Sequence, residues 1–328
     1  MYKKLLLSAA LVVALFAASL FLGSVSIPAK SVIGTLLGQG GNSTWHYIII
    51  YSRLPQALTA LLAGGALSVS GLLLQTAFRN PLAAPDIFGV TGGASFAVAL
   101  LMLAPGMAFG GVAGSLSNVV AAFIGALAVT ALTWAFSRMV RSSVVLVIIG
   151  IMVGYLCSSG VTLLNAIATK DGVRSFVSWG MGSFTGVGMD DMPLFALLAL
   201  LPTLATLFLM KPLNALLLGT NYAEGLGINV RHVRNVLLIL TGLLTAVVTA
   251  FCGPVSFIAL AVPHVARLVM RSSDHRCLLP ATILMGSAVA LFCNILTTIP
   301  PDGTVLPLNA VTPLIGAPVI IYVILKKS

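Results

Sequence analysis

Residues 76–89 read TAFRNPLAAPDIFG, with Arg79, Asn80, Pro81, Pro85 and Asp86 inside fourteen positions. Immediately before them lies LLAGGALSVSGLLLQ (61–75), and after them a second apolar run to about residue 104. Proline lacks the amide donor that a helix interior needs and disfavours helical geometry in the residue before it. The stretch therefore reads as a tight turn between two helices. Gly64, Gly65, Ser68, Ser70 and Gly71 put small residues along the first helix, the composition that lets membrane helices approach closely.

The rest of the chain repeats this alternation. Only 7% of the 328 residues are charged and 59% are hydrophobic, whereas a soluble domain carries about 25% charged residues. Such a chain cannot clothe itself in polar surface, but it can show apolar side chains to lipid. The expected fold is an all-α integral membrane protein. Apolar runs near bilayer length fall at about 5–23, 57–78, 87–104, 118–136, 143–168, 193–210, 235–252, 255–270, 278–298 and 310–325, which makes about ten transmembrane helices. The eighth is marginal in length and interrupted by Pro263 and His264, as a bent or partly buried helix would be. The first has a basic start and small residues near its end. Its apolar length of 19 residues, Leu5 to Gly23, exceeds a signal-peptide core of about 7–15 and is expected to be retained as a helix.

Charge placement sets an orientation. With both termini cytoplasmic, one face collects Lys3, Lys4, Arg79, Arg138, Arg141, Lys211, Arg231, Arg234, Arg267, Arg271, Arg276, Lys326 and Lys327, 13 of the 17 cations. Lys30, Arg53, Lys170 and Arg174 fall outside, with Asp171, Asp190, Asp191 and Asp302. This is the positive-inside pattern, and adding or removing a central span would destroy it.

Several function classes lose support. The cations are dispersed in ones and twos without interleaved aromatics, so the formal charge of +10 does not describe a nucleic-acid surface. No HExxH, GxSxG or close His/Cys cluster points to an enzyme or a metal centre, and the four cysteines read as packing residues. Asp, Glu, Lys and Arg are missing from the span centres, where an ion-coupled secondary transporter, the alternative reading, keeps its coupling site. The chain has no Gly-Lys pair and hence no phosphate-binding P-loop, so energy for an uphill process would have to arrive from a partner at a protein surface. Residues 211–234, KPLNALLLGTNYAEGLGINVRHVR, form the longest cytoplasmic connection. They read as two short helices broken at Gly219 and near Gly225 and Gly227, either a docking element or an amphipathic loop on lipid headgroups.

From about residue 50 onward six ordered blocks stand out: RLPQALTALLAGGALSVSGLLLQTAFRNPLAAPDIFGVTGGA from Arg53, WGMGS containing Trp179, LNALLLGTNYAEGLG from Leu213, CGPVSFIALAVPHVARL from Cys252, DHRCLLP from Asp274 and LPLNAVTPLIGAP from Leu306. Together they resemble the FecCD family, the membrane-spanning subunits of binding-protein-dependent ABC importers for ferric siderophores, haem and cobalamin. The resemblance implies a type II ABC importer permease fold, with residues 1–328 as one transmembrane permease domain in the inner membrane. The implied assembly holds a second permease subunit, in a homodimer or with a close relative, two ATPase subunits that carry ATP and Mg, and an extracytoplasmic substrate-binding protein. No cofactor is expected on this chain, which is not expected to be an enzyme itself.

The resemblance also assigns residues. The 211–234 loop becomes the ATPase-coupling element, through Asn214, Leu218, Gly219, Ala223, Glu224, Leu226 and Gly227. Asn80, Pro81 and Leu82, with Ser142 and Ser143, become a cytoplasmic gate, although the prolines also suit a plain topological turn. Arg53 becomes a docking residue for the binding protein, or else an interfacial anchor. The family pattern has charged residues where Gln56, Asn294, Thr298 and Val305 stand and a glycine at Asn309, so docking is expected to be weaker in charge. His264 in PHVAR reads as a helix-end polar group rather than a haem ligand, and the solute pathway as a route of weak contacts with small and apolar residues.

Overall fold

The computed structural model describes residues 2–38, 42–104, 111–140, 142–300 and 304–327. Fifteen α-helices form it: α1 (Tyr2–Phe21), α2 (Ala29–Leu36), α3 (Ser43–Tyr47), α4 (Leu54–Ala77), α5 (Val90–Leu103), α6 (Gly111–Met139), α7 (Ser143–Ile167), α8 (Lys170–Gly180), α9 (Met192–Ala205), α10 (Met210–Leu218), α11 (Thr220–Gly225), α12 (Val230–Cys252), α13 (Ile258–Met270), α14 (His275–Thr298) and α15 (Leu308–Lys327). No strand occurs among the described residues. Seven helical segments are long and apolar enough to cross a membrane, and three shorter apolar helices, in α5, α13 and α15, complete the set of ten expected runs.

The centre is α4, whose best spanning window is 83% buried, flanked by α14 and α12 at 72% and 67%. Small residues make this possible. A Cβ on Gly64 would enter the carbonyl of Gly286, and one on Gly71 would enter the carbonyl of Ala259, so α4 meets α14 and α13 almost backbone to backbone. Hydroxyls stitch the contact: Ser68 Oγ donates to Thr282 O at 2.9 Å and Ser287 Oγ to Leu61 O at 2.7 Å. Gly93 of α5 and Gly125 of α6 repeat the device. Lipid tails are as apolar as leucine, so packing and interhelical hydrogen bonds of this kind, rather than water exclusion, hold such helices together.

Two elements differ from the expected plain spans. Ahead of α4, the segment Ile48–Arg53 is a π-helical turn continuous with α3, so the helical run starts at Ser43. The marginal eighth run is marginal because α13 has 13 residues, about 20 Å of rise, and follows an irregular stretch. Gly253 (φ 71°) and Phe257 (φ 70°) both occupy the left-handed region there. Irregular backbone at membrane depth is stable only when protein surrounds it, and here Asn309 bonds it on both sides, as described below.

Contacts define the two ends of the bundle. Lys4 Nζ donates to Val269 O, Arg267 Nη1 to Gln75 Oε1, and Arg231 to Arg138 O, which gathers cations of α1, α6, α12 and α13 at a basic end. Arg141 and Asp302, used in the charge reading, lie outside the described residues, as do the side chains of Lys326 and Lys327.

Candidate functional site

At the basic end, α10 and α11 are the two short helices expected from the 211–234 sequence. Gly219 breaks them apart with φ 124° and ψ 153°, a conformation closed to residues bearing a Cβ. α11 ends in a Schellman turn: Ile228 N donates to Ala223 O at 3.0 Å, Gly227 N donates to Glu224 O at 2.9 Å, and Gly227 has φ 78°. Asn229 then caps α12 by accepting from His232 N. Ala223 is fully buried and pins α11, while Leu218, Tyr222 and Leu226 are 65%, 55% and 59% exposed around an exposed Glu224. The element is thus rigid inside and apolar outside.

Asn214 faces inward. Its Nδ2 donates to Asp274 Oδ1 at 2.6 Å, which fixes its amide orientation, and its Oδ1 accepts from His275 N at 2.8 Å and Nδ1 at 2.9 Å. With Nδ1 the donor, the neutral ring offers Nε2 as acceptor to Thr76 Oγ1 at 3.0 Å. A chain of hydrogen bonds therefore runs from α10 through a fully buried His275 to α4. The Arg276 N–H, first, and then the Asn214 amide hold the Asp274 carboxyl below the usual carboxylate range. Asn214→Ala would strand buried donors on His275, at a cost of about 1–3 kcal/mol. The expected result is a lower unfolding temperature with membrane insertion retained, and an unchanged thermal scan would remove the relay.

The loop 78–84 is tied to the same element. Arg79, at φ 49°, donates from Nη2 to Leu217 O at 2.9 Å, capping the C-terminus of α10. Asn80 Oδ1 accepts from Leu82 N at 2.9 Å, an Asx turn, and Pro81 O lies 2.8 Å from His264 Nε2 on α13. Leu82 is 47% exposed at the tip. The following turn, Pro85–Phe88, packs on α7, where a Cβ on Gly150 would come within 2.8 Å of Phe88 Cα. Ser142 caps α7 through Val145 N at 3.5 Å, and the side chain of Ser143 lies outside the described residues.

Comparison with known proteins decides the family. The sequence matches the FecCD transport family over residues 11–326. The chain belongs to the FecCD transport family. It is 36% identical over 277 residues to the vitamin B12 import system permease protein BtuC of Klebsiella pneumoniae, covering 84% of this chain and 81% of that one. It is 34% identical over 311 residues to the hemin transport system permease protein HmuU of Yersinia pestis, covering 94% and 92%. A solved chain of a metal-chelate type ABC transporter in an inward-facing conformation matches with a TM-score of 0.86 at 30% identity, over 99% of this chain and all of that one.

At the opposite end of this FecCD permease, Arg53 is drawn inward. It is 7% exposed, and its guanidinium donates to Leu20 O at 2.9 Å, Phe21 O at 3.0 Å and Val25 O. Of the two readings, docking residue or anchor, this geometry suits the anchor: the side chain caps the carboxyl end of α1, where a cation complements the helix dipole, and is buried beneath Gly23. Arg53→Ala is expected to destabilise the purified protein by about 1–3 kcal/mol through the orphaned carbonyls. Loss of uptake at unchanged thermal stability would restore the docking reading. Gln56 and Asn294 are also buried, so they form no exposed charge surface, whereas Val305 is exposed.

Asn309 braces three of the segments that carry the family pattern. Its Nδ2 donates to Pro254 O at 2.7 Å and Gly180 O at 3.1 Å, and its Oδ1 accepts from Ser256 N at 3.0 Å. One side chain thus joins the α8 corner, the irregular stretch before α13 and the start of α15.

α7 carries a polar face within an apolar run. Its spanning window is only 17% buried, and its exposed face carries Tyr155, Ser158, Ser159 and Thr162 at helical spacing. Thr162 Oγ1 donates to Ser158 O at 3.0 Å within α7, and hydroxyls on a spanning helix also bond across to neighbouring helices. The i, i+3, i+4, i+7 spacing of these side chains was a legible signal, masked by the strongly apolar average of the run.

Proposed function

We propose that this chain is the membrane-spanning subunit of an ATP-driven importer that moves a bulky metal-bearing solute inward, an iron siderophore, haem or a corrinoid such as cobalamin. The carrying observation is the exposed Leu218, Tyr222, Leu226 and Glu224 surface, held rigidly and connected through Asn214 and His275 to the central helix α4. A surface of this kind suits a protein partner that moves as a body, and the hydrogen-bonded chain behind it suits transmission of that movement. Vitamin B12 and hemin, named for the two relatives, share a large metal-bearing ring, and the α7 hydroxyl face offers the weak contacts such a solute needs in order to leave.

In this reading residues 1–328 form one permease domain with 211–234 as its coupling loop. The basic end and both termini face the cytoplasm of a cell whose inner membrane holds the protein. A second copy covers α7 across a two-fold axis, two ATPase subunits bring ATP and Mg, and a binding protein delivers solute outside. Asn80, Pro81 and Leu82, with Ser142 and Ser143, form the inner gate. Leu82→Cys in both copies, once oxidised to a disulfide, is expected to cut transport at least tenfold. Undiminished transport by the crosslinked pair would remove Leu82 from the gate.

The deciding experiment is copurification with a P-loop ATPase whose turnover rises when a loaded binding protein is added. Solute uptake into liposomes by this chain alone, without ATP, would overturn the proposal.

A further inference from the structure

The end of α6 and the start of α12 form an open hollow of about 470 Å³ lined by Trp134, Arg138, Asn229, Arg231, His232 and Asn235. A second hollow of about 320 Å³ shares Arg231 and Asn235 and adds Arg234 and Glu224. Three guanidinium groups therefore converge where two helices meet. Their positions are held from behind: Arg231 donates to Arg138 O, Arg138 lies 5.3 Å from the Trp134 ring centroid, and Arg234 lies 6.0 Å from that of Phe78. The two amides add to the same polarity. Asn235 Oδ1 accepts from Ser137 Oγ at 3.0 Å and Asn229 Oδ1 from His232 N at 2.9 Å, so both have their acceptors engaged and their NH2 donors still to offer.

This lining is electrostatically one-sided. Arg231 and His232 stand in the first turn of α12 and Arg234 directly after it, at the end of a helix that already carries positive partial charge and disfavours cations. No carboxylate lines the larger hollow, and Glu224 alone lines the smaller. Donors without acceptors, at a positive helix end, make a place for an anion. A phosphate suits it best, because its oxygens accept paired N–H donors from planar guanidinium groups.

The surroundings identify what carries the phosphate. Leu132, Ala135 and Met139 form an exposed apolar stripe along α6 that runs up to Arg138, and Ile239 is exposed one turn beyond Asn235 on α12. Trp134 beside the hollow is the residue type that settles at headgroup depth. We infer that the hollow binds the phosphate of an anionic phospholipid headgroup, with its acyl chains along the Leu132, Ala135 and Met139 stripe. Basic pockets between spanning helices bind headgroups in this manner. The site does not depend on the transport reading or on the solute.

The test is lipid retention by the full-length protein in detergent, read by native mass spectrometry. Phosphatidylglycerol is expected to stay bound where phosphatidylcholine does not, and added inorganic phosphate is expected not to displace it. The double variant Arg138→Gln, Arg231→Gln should hold phosphatidylglycerol roughly 30-fold less well, since each cation near an anionic surface contributes about a fivefold factor. Arg276→Gln, which removes one cation from the same end outside the hollow, should leave retention unchanged. Equal retention of the two lipids by the unmodified chain would overturn the inference, whatever the variants do. So would displacement by inorganic phosphate, which would make this a free-phosphate site, or an Arg276→Gln loss as large as that of the double variant.

Discussion

Gly71→Ala is expected to prevent stable folding, although it adds a single methyl group. Gly71 lies where α4 crosses α13, and a Cβ there would overlap the carbonyl oxygen, carbonyl carbon and Cα of Ala259. A flexible side chain could swing aside, but backbone inside a helix cannot. α4 and α13 would have to separate, and α13 has little freedom to move. Leu260 O accepts from Gln75 Nε2 at 3.2 Å, Arg267 bonds the Gln75 carbonyl oxygen at 2.7 Å, and His264 bonds Pro81 O. Overpacking of a tight contact costs about 1–3 kcal/mol and more where nothing can yield, so a loss of about 3 kcal/mol or more is expected. The check is thermal unfolding of the purified protein with Gly188→Ala as control, since a Cβ on Gly188 meets nothing within 4 Å. A Gly71→Ala protein that melts with the control would show that α4 and α13 are not packed this closely.

The same glycine shows what a membrane sequence reveals. That 61–75 is a close-packing helix was legible, because small residues in an apolar run have few other uses. The partners were not: Gly64 meets Gly286 and Gly71 meets Ala259, pairings about 190 to 220 positions apart in a chain where every span is apolar. The basic end was legible from charge alone and is assembled by the contacts of Lys4, Arg231 and Arg267. Arg79, however, counted only as one cation in that pattern, while in the structure it caps α10 at Leu217. Arg53 stayed open between docking and anchoring for a related reason. A charge next to a span is usually exposed, and nothing local shows that the end of α1 folds back over it. Asn309 looked like a lost docking position because its three partners, Gly180, Pro254 and Ser256, lie in two other stretches of the chain. The two short helices of 211–234 were the most legible part, since Gly219 and Gly227 mark breaks that favour glycine, and both have positive φ.

Glu224→Lys is expected to abolish ATP-driven uptake, at least tenfold, while leaving the permease inserted and folded. The side chain is exposed on α11 between exposed Tyr222 and Leu226, whereas the fold of the loop rests on buried Ala223 and on backbone bonds to Gly227 and Ile228. Charge reversal therefore changes what a partner meets without removing an internal support. It also adds a cation beside Arg231 and Arg234, which line the same hollow, so Glu224→Gln is the companion that removes the carboxylate without that repulsion. If Glu224 contacts the ATPase, both variants lose ATPase copurification and Lys loses more. Asn214→Ala separates docking from transmission, because it leaves the exposed surface intact and cuts the link through His275 to Thr76. Its expected signature is retained ATPase binding with lost stimulation of turnover by the loaded binding protein. Normal uptake by Glu224→Lys would remove that residue from the interface. If Asn214→Ala and Glu224→Lys lost ATPase binding equally, the hydrogen-bonded chain would serve to shape the docking surface rather than to carry movement from it.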